Sequence, residues 1–390
     1  MKPDIKVFDG LLIMEDSVMQ AKIKVLLAAP NSGMVGGIMR WTKNVYAHWH
    51  QHKTESNIKL SILDIARKRG GYYGQAKFQK LIWALQDYGK IFCSSIKALN
   101  KSDADIFHLT SPGNFRLWFD YCLIKWCKYR KIKSILHLRF GRIPQIFKSK
   151  GWEYNILCKV IKVADCIIVI DKKSYNTLIA AGFSNIELLP NPLTPKVASI
   201  ISENRNIEKS CNEIVFAGHV IKTKGVFELV EASKDIPNIK LRIIGAVSNE
   251  MKQQLIAAAG RGYESWLFIE GEESQEETIK AMMSAALFVL PTYTEGFPNV
   301  IIESMACGCP IVTTAVGAIP EMLDIKNGNN YGICVEPQDV EQLREAMIKM
   351  INDRNYAINC GKNAQKRVCQ LYSMDSVWSQ MENIWKTTIN

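Results

Sequence analysis

The strongest constraint on this chain is the alternation that begins at Glu213. Short continuous apolar runs, "EIVFAGHV", "KLRIIGAV", "WLFIEG", "ALFVLPTY" and "PIVTTAVG", are separated by amphipathic patterns such as "GVFELVEASKDI", "SNEMKQQLIAAAGR" and "SQEETIKAMMSA". A strand that is apolar on both faces must be covered on both faces. Short strands alternating with helices therefore specify a parallel sheet between two helical layers, a doubly wound α/β domain.

The first half follows the same pattern less regularly. "AKIKVLLAAP" runs into "NSGMVGG" and the helical "IMRWTKNVYAHWHQ", and further β-runs are "IKLSILDI", "DIFHLT", "KSILHLRFG" and "DCIIVID". At 390 residues the chain exceeds one ordinary core. The fold class is therefore read as α/β, with two Rossmann-like doubly wound domains facing each other across a cleft. Three prolines in "IELLPNPLTP" stiffen a connection and place the hinge there. The domains are expected at 19–190 and 191–373. Residues 1–18 form an extra segment, and 374–390 a helix that crosses back to the N-terminal domain.

Ligands of open α/β sheets bind beyond the carboxyl ends of the strands. The loops of interest are thus "APNSGMVGG", "RFGRIP", "GHVIKTKG", "GAVSN", "EGEES" and "PTYTEGFPN". In the last, Glu295 sits on the loop, Gly296 permits a turn, and Pro298 and Asn299 suit a helix start. The free backbone N–H groups there, near Pro298 to Val300, form an anion site, and Glu303 follows about one turn inside the helix. Gly33, Gly36 and Gly37 allow close backbone approach to a phosphate, although the dinucleotide fingerprint G-x-G-x-x-G is absent. His137 and Arg139, two apart and on one face of a strand, are candidates for the cleft.

"EGFPNVIIE", followed by a small-residue helix and "GCPIV", resembles the E-x7-E motif of retaining GT-B glycosyltransferases of family 4, the glycosyl transferases group 1 type. "VFAGHVIKTKGVFELVEA", "AVGAIPEMLDIKNGNNYGICVEPQDVEQL" and "APNSGMVGG" extend the resemblance over roughly residues 22 to 386. It implies a nucleotide-sugar donor held by the C-terminal domain and a sugar or lipid-linked glycan acceptor held by the N-terminal domain. The implied activity is hexosyl transfer with retention, in bacterial surface polysaccharide or glycolipid synthesis. Glu303 would hold the ribose and Glu295 the donor-sugar hydroxyls. The donor site would further comprise Gly36, Gly37, Lys224, Gly245, Phe297, Pro298, Asn299 and Val300, and the catalytic set Lys224, Glu295 and His219. His137 and Arg139 would lie near sugar and acceptor.

One position departs from the family pattern. His219 stands where an Arg is expected, although Lys224-Gly225 fit. Arg offers a permanent bidentate fork to phosphate, whereas His offers one N–H at a time near neutrality. The departure leaves open a second reading, a weak or inactive sugar-nucleotide-binding or scaffold protein of the same fold. With Lys224 and helix N-termini available to the leaving diphosphate, no metal and no cofactor are expected.

Charge is divided between the halves. Residues 1–200 carry 31 Lys and Arg against 14 Asp and Glu, a net of +17, and residues 201–390 carry 18 against 24, a net of −6. The basic half points to an anionic partner, either a membrane surface, a polyphosphate-linked substrate or nucleic acid, or else serves solubility. No nucleic-acid-binding module is recognisable, so nucleic acid is not expected. "FRLWFDYCLIKWCKYRKIK" suits an interfacial helix on an anionic membrane and equally an ordinary Rossmann helix. No apolar run is long enough to span a bilayer, and the N-terminus does not resemble a signal peptide. Eleven scattered cysteines without C-x-x-C fit buried thiols in a reduced cytoplasmic protein, peripheral to the inner face of the membrane if bound there. Three candidates are set aside: a metal at His48, His50 and His52, a metal at Asp103 and Asp105, and any role beyond packing for Cys307 and Cys309.

Overall fold

A computed structural model describes residues 22–32, 37–67, 77–328 and 331–390, so the segment 1–18, Gly33 and Gly36 lie outside the described residues. The first sheet contains β1 (Ile23–Ala29), β2 (Ile58–Asp64), β3 (Ile106–Ser111), β4 (Lys133–Leu138), β5 (Cys166–Val169) and β6 (Ile186–Leu188). Its strands are parallel and ordered β2-β1-β3-β4-β5-β6. The second contains β7 (Glu213–Ala217), β8 (Lys240–Ile244), β9 (Leu267–Gly271), β10 (Leu287–Leu290), β11 (Ile311–Thr314) and β12 (Ile333–Val335). It too is parallel, ordered β12-β11-β10-β7-β8-β9.

The second order is that of the dinucleotide-binding fold, and the first begins as the flavodoxin-like variant does. In each sheet the strand order reverses beside its first strand, and a crevice opens where successive connections leave on opposite faces. For the second sheet that point lies between β7 and β10, which brings the loops after them, Gly218–Lys224 and Pro291–Pro298, side by side. For the first it lies between β1 and β3, which places the start of the helix Gly37–His52 at the facing crevice.

Strand periodicity distributes the core. Leu26, Ala28, Phe107, Leu109, Leu136 and Leu138 point to one face of the first sheet, under the helices between Lys77 and Ala180. Val25, Leu27, Ala29, Ile106 and Ile135 point to the other. There they are covered by Trp41 and Val45 of the helix Gly37–His52, and by Val377, Trp378, Met381, Ile384 and Trp385 of the C-terminal helix Met374–Ile389. That helix follows the second domain in the chain yet fills a core belonging to the first. The second domain has its own core around Phe216, Phe288 and Met305.

The helix Arg116–Tyr129 is a sheet-covering helix, with Leu117, Leu123, Ile124 and Cys127 buried. Its polar side leaves Trp118 and Tyr129 exposed, and exposed Phe115 stacks on Trp152 at 4.6 Å. His48 packs on Trp378 at 5.3 Å, with its imidazole shifted down by burial and by His52. Asp103 pairs with Lys24 at 2.7 Å, and Asp105 accepts the Lys24 backbone N–H. Among the described residues, no cluster of three His, Cys, Asp or Glu side chains is placed to hold a metal, and no helix is long and apolar enough to cross a membrane.

All eleven cysteines are free, but the expectation of buried thiols needs correction. Cys127, Cys166, Cys307, Cys309 and Cys360 are buried, whereas Cys93, Cys122, Cys211 and Cys369 are exposed. Three of the exposed thiols sit on outward faces of helices whose other faces carry the core, which an apolar window does not distinguish.

Candidate functional site

The loop from Pro291 to Pro298 is held in place from three sides. Tyr293 N–H donates to Thr223 O at 2.9 Å, and Thr292 Oγ1 donates to the same carbonyl at 3.3 Å. Tyr293 Oη donates to Glu228 at 2.6 Å. Beneath it, Gly225 takes φ +71°, and a Cβ there would lie 2.0 Å from Pro291 O, so only glycine lets the two loops touch. From the third side, Ala318 N–H donates to Gly296 O at 3.0 Å.

This bracing brings together two of the residues singled out above. Lys224 Nζ forms an ion pair and hydrogen bond with Glu295 Oε1, and both side chains are largely covered. The helix Asn299–Ala306 then begins at Pro298, and Glu303 lies one turn inside it. Glu303 is pushed above the usual carboxylate range by burial; the charge of Arg40, across the cleft, and a hydrogen bond from Gln275 act in the opposite direction.

The two domains meet at this loop. A Cβ on Gly141, just beyond β4, would lie 2.7 Å from Gly296 Cα. Lys172 N–H donates to Glu321 across the same junction at 2.7 Å. Asn191, in the connection between the domains, donates to Asn299 Oδ1 at 3.0 Å and Phe297 O at 3.3 Å. The result is a cleft of about 440 Å³ lined by Gly37, Arg139, Arg142 and Gln145 from one side and Glu295, Phe297 and Asn299 from the other. A tighter recess beside it holds Glu303, Arg40 and Gln275, and Arg139, Asn191 and Asn299 line both spaces.

The remaining expected residues fall in different places. Gly37 starts its helix and lines the cleft; Gly36 is outside the described residues. Val300 belongs to the first turn of the Glu303 helix. Gly245 has a packing reason for being glycine, since a Cβ would lie 1.9 Å from Gly218 O. His219 is exposed on the loop after β7, apart from the residues lining the cleft.

His137 and Arg139 separate. Arg139 lies past the end of β4 and reaches the cleft, but His137 does not. The His137 ring is fully buried between β4, Trp41 and His108, with its pKa well below the usual imidazole value because of burial and the Arg139 charge. The expectation that either could reach the cleft is corrected for His137 by its depth, since the spacing gives its face only.

Arg40, Gln275 and Asn191 were not singled out by the sequence. Arg40 lies one turn into the helix after the glycine loop, which is a weak signal. Asn191 and Gln275 come from distant stretches, and only the domain apposition brings them together.

Residues 198–367 match the glycosyl transferases group 1 family. The chain is 28% identical over 272 residues to the capsular polysaccharide biosynthesis glycosyltransferase CapM of Staphylococcus aureus, covering 61% of this chain and 67% of that protein. Among solved structures it resembles the sucrose-phosphate synthase of Thermosynechococcus elongatus, with TM-score 0.68 and 18% identity, over 94% of this chain and 99% of that one. It also resembles Anabaena HepE in complex with UDP-glucose, with TM-score 0.62 and 16% identity, over 94% of this chain and 100% of that one. These structural likenesses establish the fold, two facing α/β domains of the GT-B type.

Proposed function

We propose, from the match of residues 198–367 to the glycosyl transferases group 1 family, that this chain moves a sugar from a nucleotide-sugar donor to a hydroxyl of a glycan acceptor. The observation that carries this reading is the Lys224–Glu295 pair, braced at the domain junction, with Glu303 one turn inside the adjoining helix. In this reading Glu303 accepts the two ribose hydroxyls, and the buried recess spares that bond from competition with water. Glu295 accepts donor-sugar hydroxyls. Lys224, its partner in the free protein, turns to the diphosphate and stabilises the charge that grows there as the sugar–phosphate bond breaks. The backbone N–H groups of Asn299 and Val300 add to that field. The proposed reaction is a single displacement with retention, and the charge on Lys224 serves where other transferases use a cation.

The relatives support a role in building surface polysaccharide, since CapM is named for capsular polysaccharide synthesis. HepE, by its title, binds UDP-glucose, which makes a nucleotide-linked hexose the first donor to try. The basic N-terminal half, with exposed Phe115, Trp118, Tyr129 and Trp152, suits a lipid-linked acceptor at an anionic membrane surface and hence a peripheral, cytoplasmic enzyme. His219 in the family's Arg position favours the second reading, a protein that binds sugar nucleotide without turning it over.

A thermal-shift screen of UDP-, GDP- and ADP-hexoses, followed by turnover of the stabilising donor in radiolabelled form, separates the readings. Stabilisation with transfer to an acceptor supports the enzyme, and stabilisation without any turnover supports the binding protein. No stabilisation by any of them would overturn both.

A further inference from the structure

Arg139 ends a chain of hydrogen-bonding groups that runs through the buried core of the N-terminal domain. Trp385 Nε1, on the C-terminal helix, lies 3.0 Å from His108 Nδ1. His108 Nε2 lies 3.3 Å from His137 Nδ1, and His137 Nε2 lies 3.2 Å from Arg139 Nη1. Both ends of the chain are groups that only donate, an indole N–H and a guanidinium N–H. Each imidazole between them is neutral, because burial and the Arg139 charge hold His108 down to about 3 and His137 lower than its ordinary value. A neutral imidazole carries one N–H. Four hydrogens therefore face three gaps, and one gap cannot hold a hydrogen bond.

Trp385 fixes the His108 proton on Nε2, because Nδ1 must accept. His137 then has two options. With its proton on Nδ1 it accepts from Arg139 through Nε2, but two N–H groups face each other across the imidazole pair. With its proton on Nε2 it accepts from His108, but it repels the Arg139 N–H. A bond to a charged donor is the stronger, so the free protein favours the first option.

Arg139 has other features of a group held in reserve. Its guanidinium lies over the Trp41 ring at 4.6 Å and lines the cleft. Burial alone pulls it down to about 9, with no carboxylate among the described residues contributing an opposite shift. Glu295, which lines the cleft, pairs with Lys224, and Glu303, which lines the recess, feels the charge of Arg40.

We propose that Arg139 is the receptor for an anionic group of the substrate, and that Trp385, His108 and His137 are positioning residues that promote its release from the core. When Arg139 turns to an anion, His137 takes the tautomer with its proton on Nε2. The two gaps that remain then each hold one hydrogen bond, from Trp385 to His108 and from His108 to His137, and the His137 Nε2–H faces the space that Arg139 leaves, where water can accept it. One proton leaves Nδ1 and one joins Nε2 of the same ring through water, with no change in net charge. Ligand binding thus removes a buried mismatch, and the C-terminal helix influences the cleft from the opposite side of the core. The inference rests on the proposed function only in taking the cleft as the substrate site.

The test uses the full chain with 15N-labelled histidine and two-bond 1H–15N correlation, which distinguishes the two tautomers of each ring. In the free protein His137 should carry its proton on Nδ1 and His108 on Nε2. Inorganic pyrophosphate and glucuronate are titrated separately. A switch of His137 to the Nε2 proton with pyrophosphate identifies the anion as the donor diphosphate, and a switch with glucuronate alone identifies an acidic sugar. A His137 tautomer that neither probe moves overturns the proposal, as does an Nε2 proton already present in the free protein. Trp385→Phe keeps the ring and removes the N–H, which lets both histidines reverse and hold Arg139. It should weaken binding of the effective anion roughly two- to tenfold, the range of one hydrogen bond. An unchanged Kd in Trp385→Phe, measured by calorimetry, would overturn the coupling. Arg139→Gln should abolish the response. Turnover of a hexose donor without any tautomer switch would defeat this inference and leave the proposed function standing.

Discussion

Gly141 and Gly296 touch backbone to backbone across the domain junction. A Cβ built on Gly141 lies 2.7 Å from Gly296 Cα, a separation that side chains do not tolerate. Each glycine closes a cleft wall, Gly141 beyond β4 and Gly296 beside Glu295, so the missing side chains set how near the two halves of the site can come.

Gly141→Ala should therefore act on catalysis more than on folding. The added methyl meets backbone, which cannot move aside, so the domains must separate. Because misplacement by about 1 Å can cost around 100-fold in rate, we expect kcat/KM to fall roughly 10- to 100-fold. The melting temperature should change little, since the cores of the two domains are distinct. Steady-state kinetics beside thermal unfolding checks this, and unchanged kinetics would show that the junction opens freely.

Glu303→Gln should separate stability from binding. Burial raises the Glu303 carboxyl above its unfolded pKa, so the folded state prefers the protonated form. Its contribution is harmless below the unfolded pKa and becomes unfavourable as pH rises through the raised folded value. At neutral pH the amide should thus raise the melting temperature of the free protein, and the gain should vanish at acid pH. The same variant should weaken donor binding by about 2 kcal/mol, the cost of losing hydrogen bonds to a charged group. Calorimetry with the stabilising donor, beside melting curves at two pH values, tests both signs.

Lys224→Gln should lower kcat by roughly 10²- to 10³-fold, the usual loss when one group aimed at developing charge is removed. Because Glu295 would lose its ion-pair partner, Glu295→Gln in the same background should recover part of the lost stability. Transfer by the wild-type protein should survive EDTA. Full loss on chelation, restored by Mn²⁺ or Mg²⁺, would show that a cation and not Lys224 carries the leaving group.

His219→Arg should raise turnover by several-fold, because the exposed loop position can accept a longer side chain and a permanent bidentate cation suits phosphate. His219→Ala should lower it. Equal rates for wild type, Arg and Ala would remove this position from the reaction and place the whole burden on Lys224.

Much of the site was legible because its parts are close in the chain. Glu295, Gly296, Pro298, Asn299 and Glu303 lie on one strand–loop–helix, and a parallel strand followed by its helix must present that loop at the carboxyl edge. Lys224 follows the strand next to it in the sheet, so both loops share one crevice. His137 and Arg139 mark the limit. Period-two spacing puts them on one face, but depth depends on what covers that face, and the cover comes from Trp41 and from a helix more than two hundred residues later.

The sequence by itself determined two doubly wound domains and the strand-end loops that form the cleft, because apolar periodicity and local chain stiffness are properties of neighbours, while Lys224, Glu295 and Glu303 were singled out by the resemblance of those loops to a known family. Only the tertiary structure decided that Arg40, Gln275 and Asn191 join Glu303 and Asn299, that His137 is core while Arg139 is cleft, and that Trp385 reaches His108. Those relations depend on how the two domains dock and where the last helix returns. Burial over distant segments sets that docking, and no local pattern encodes it.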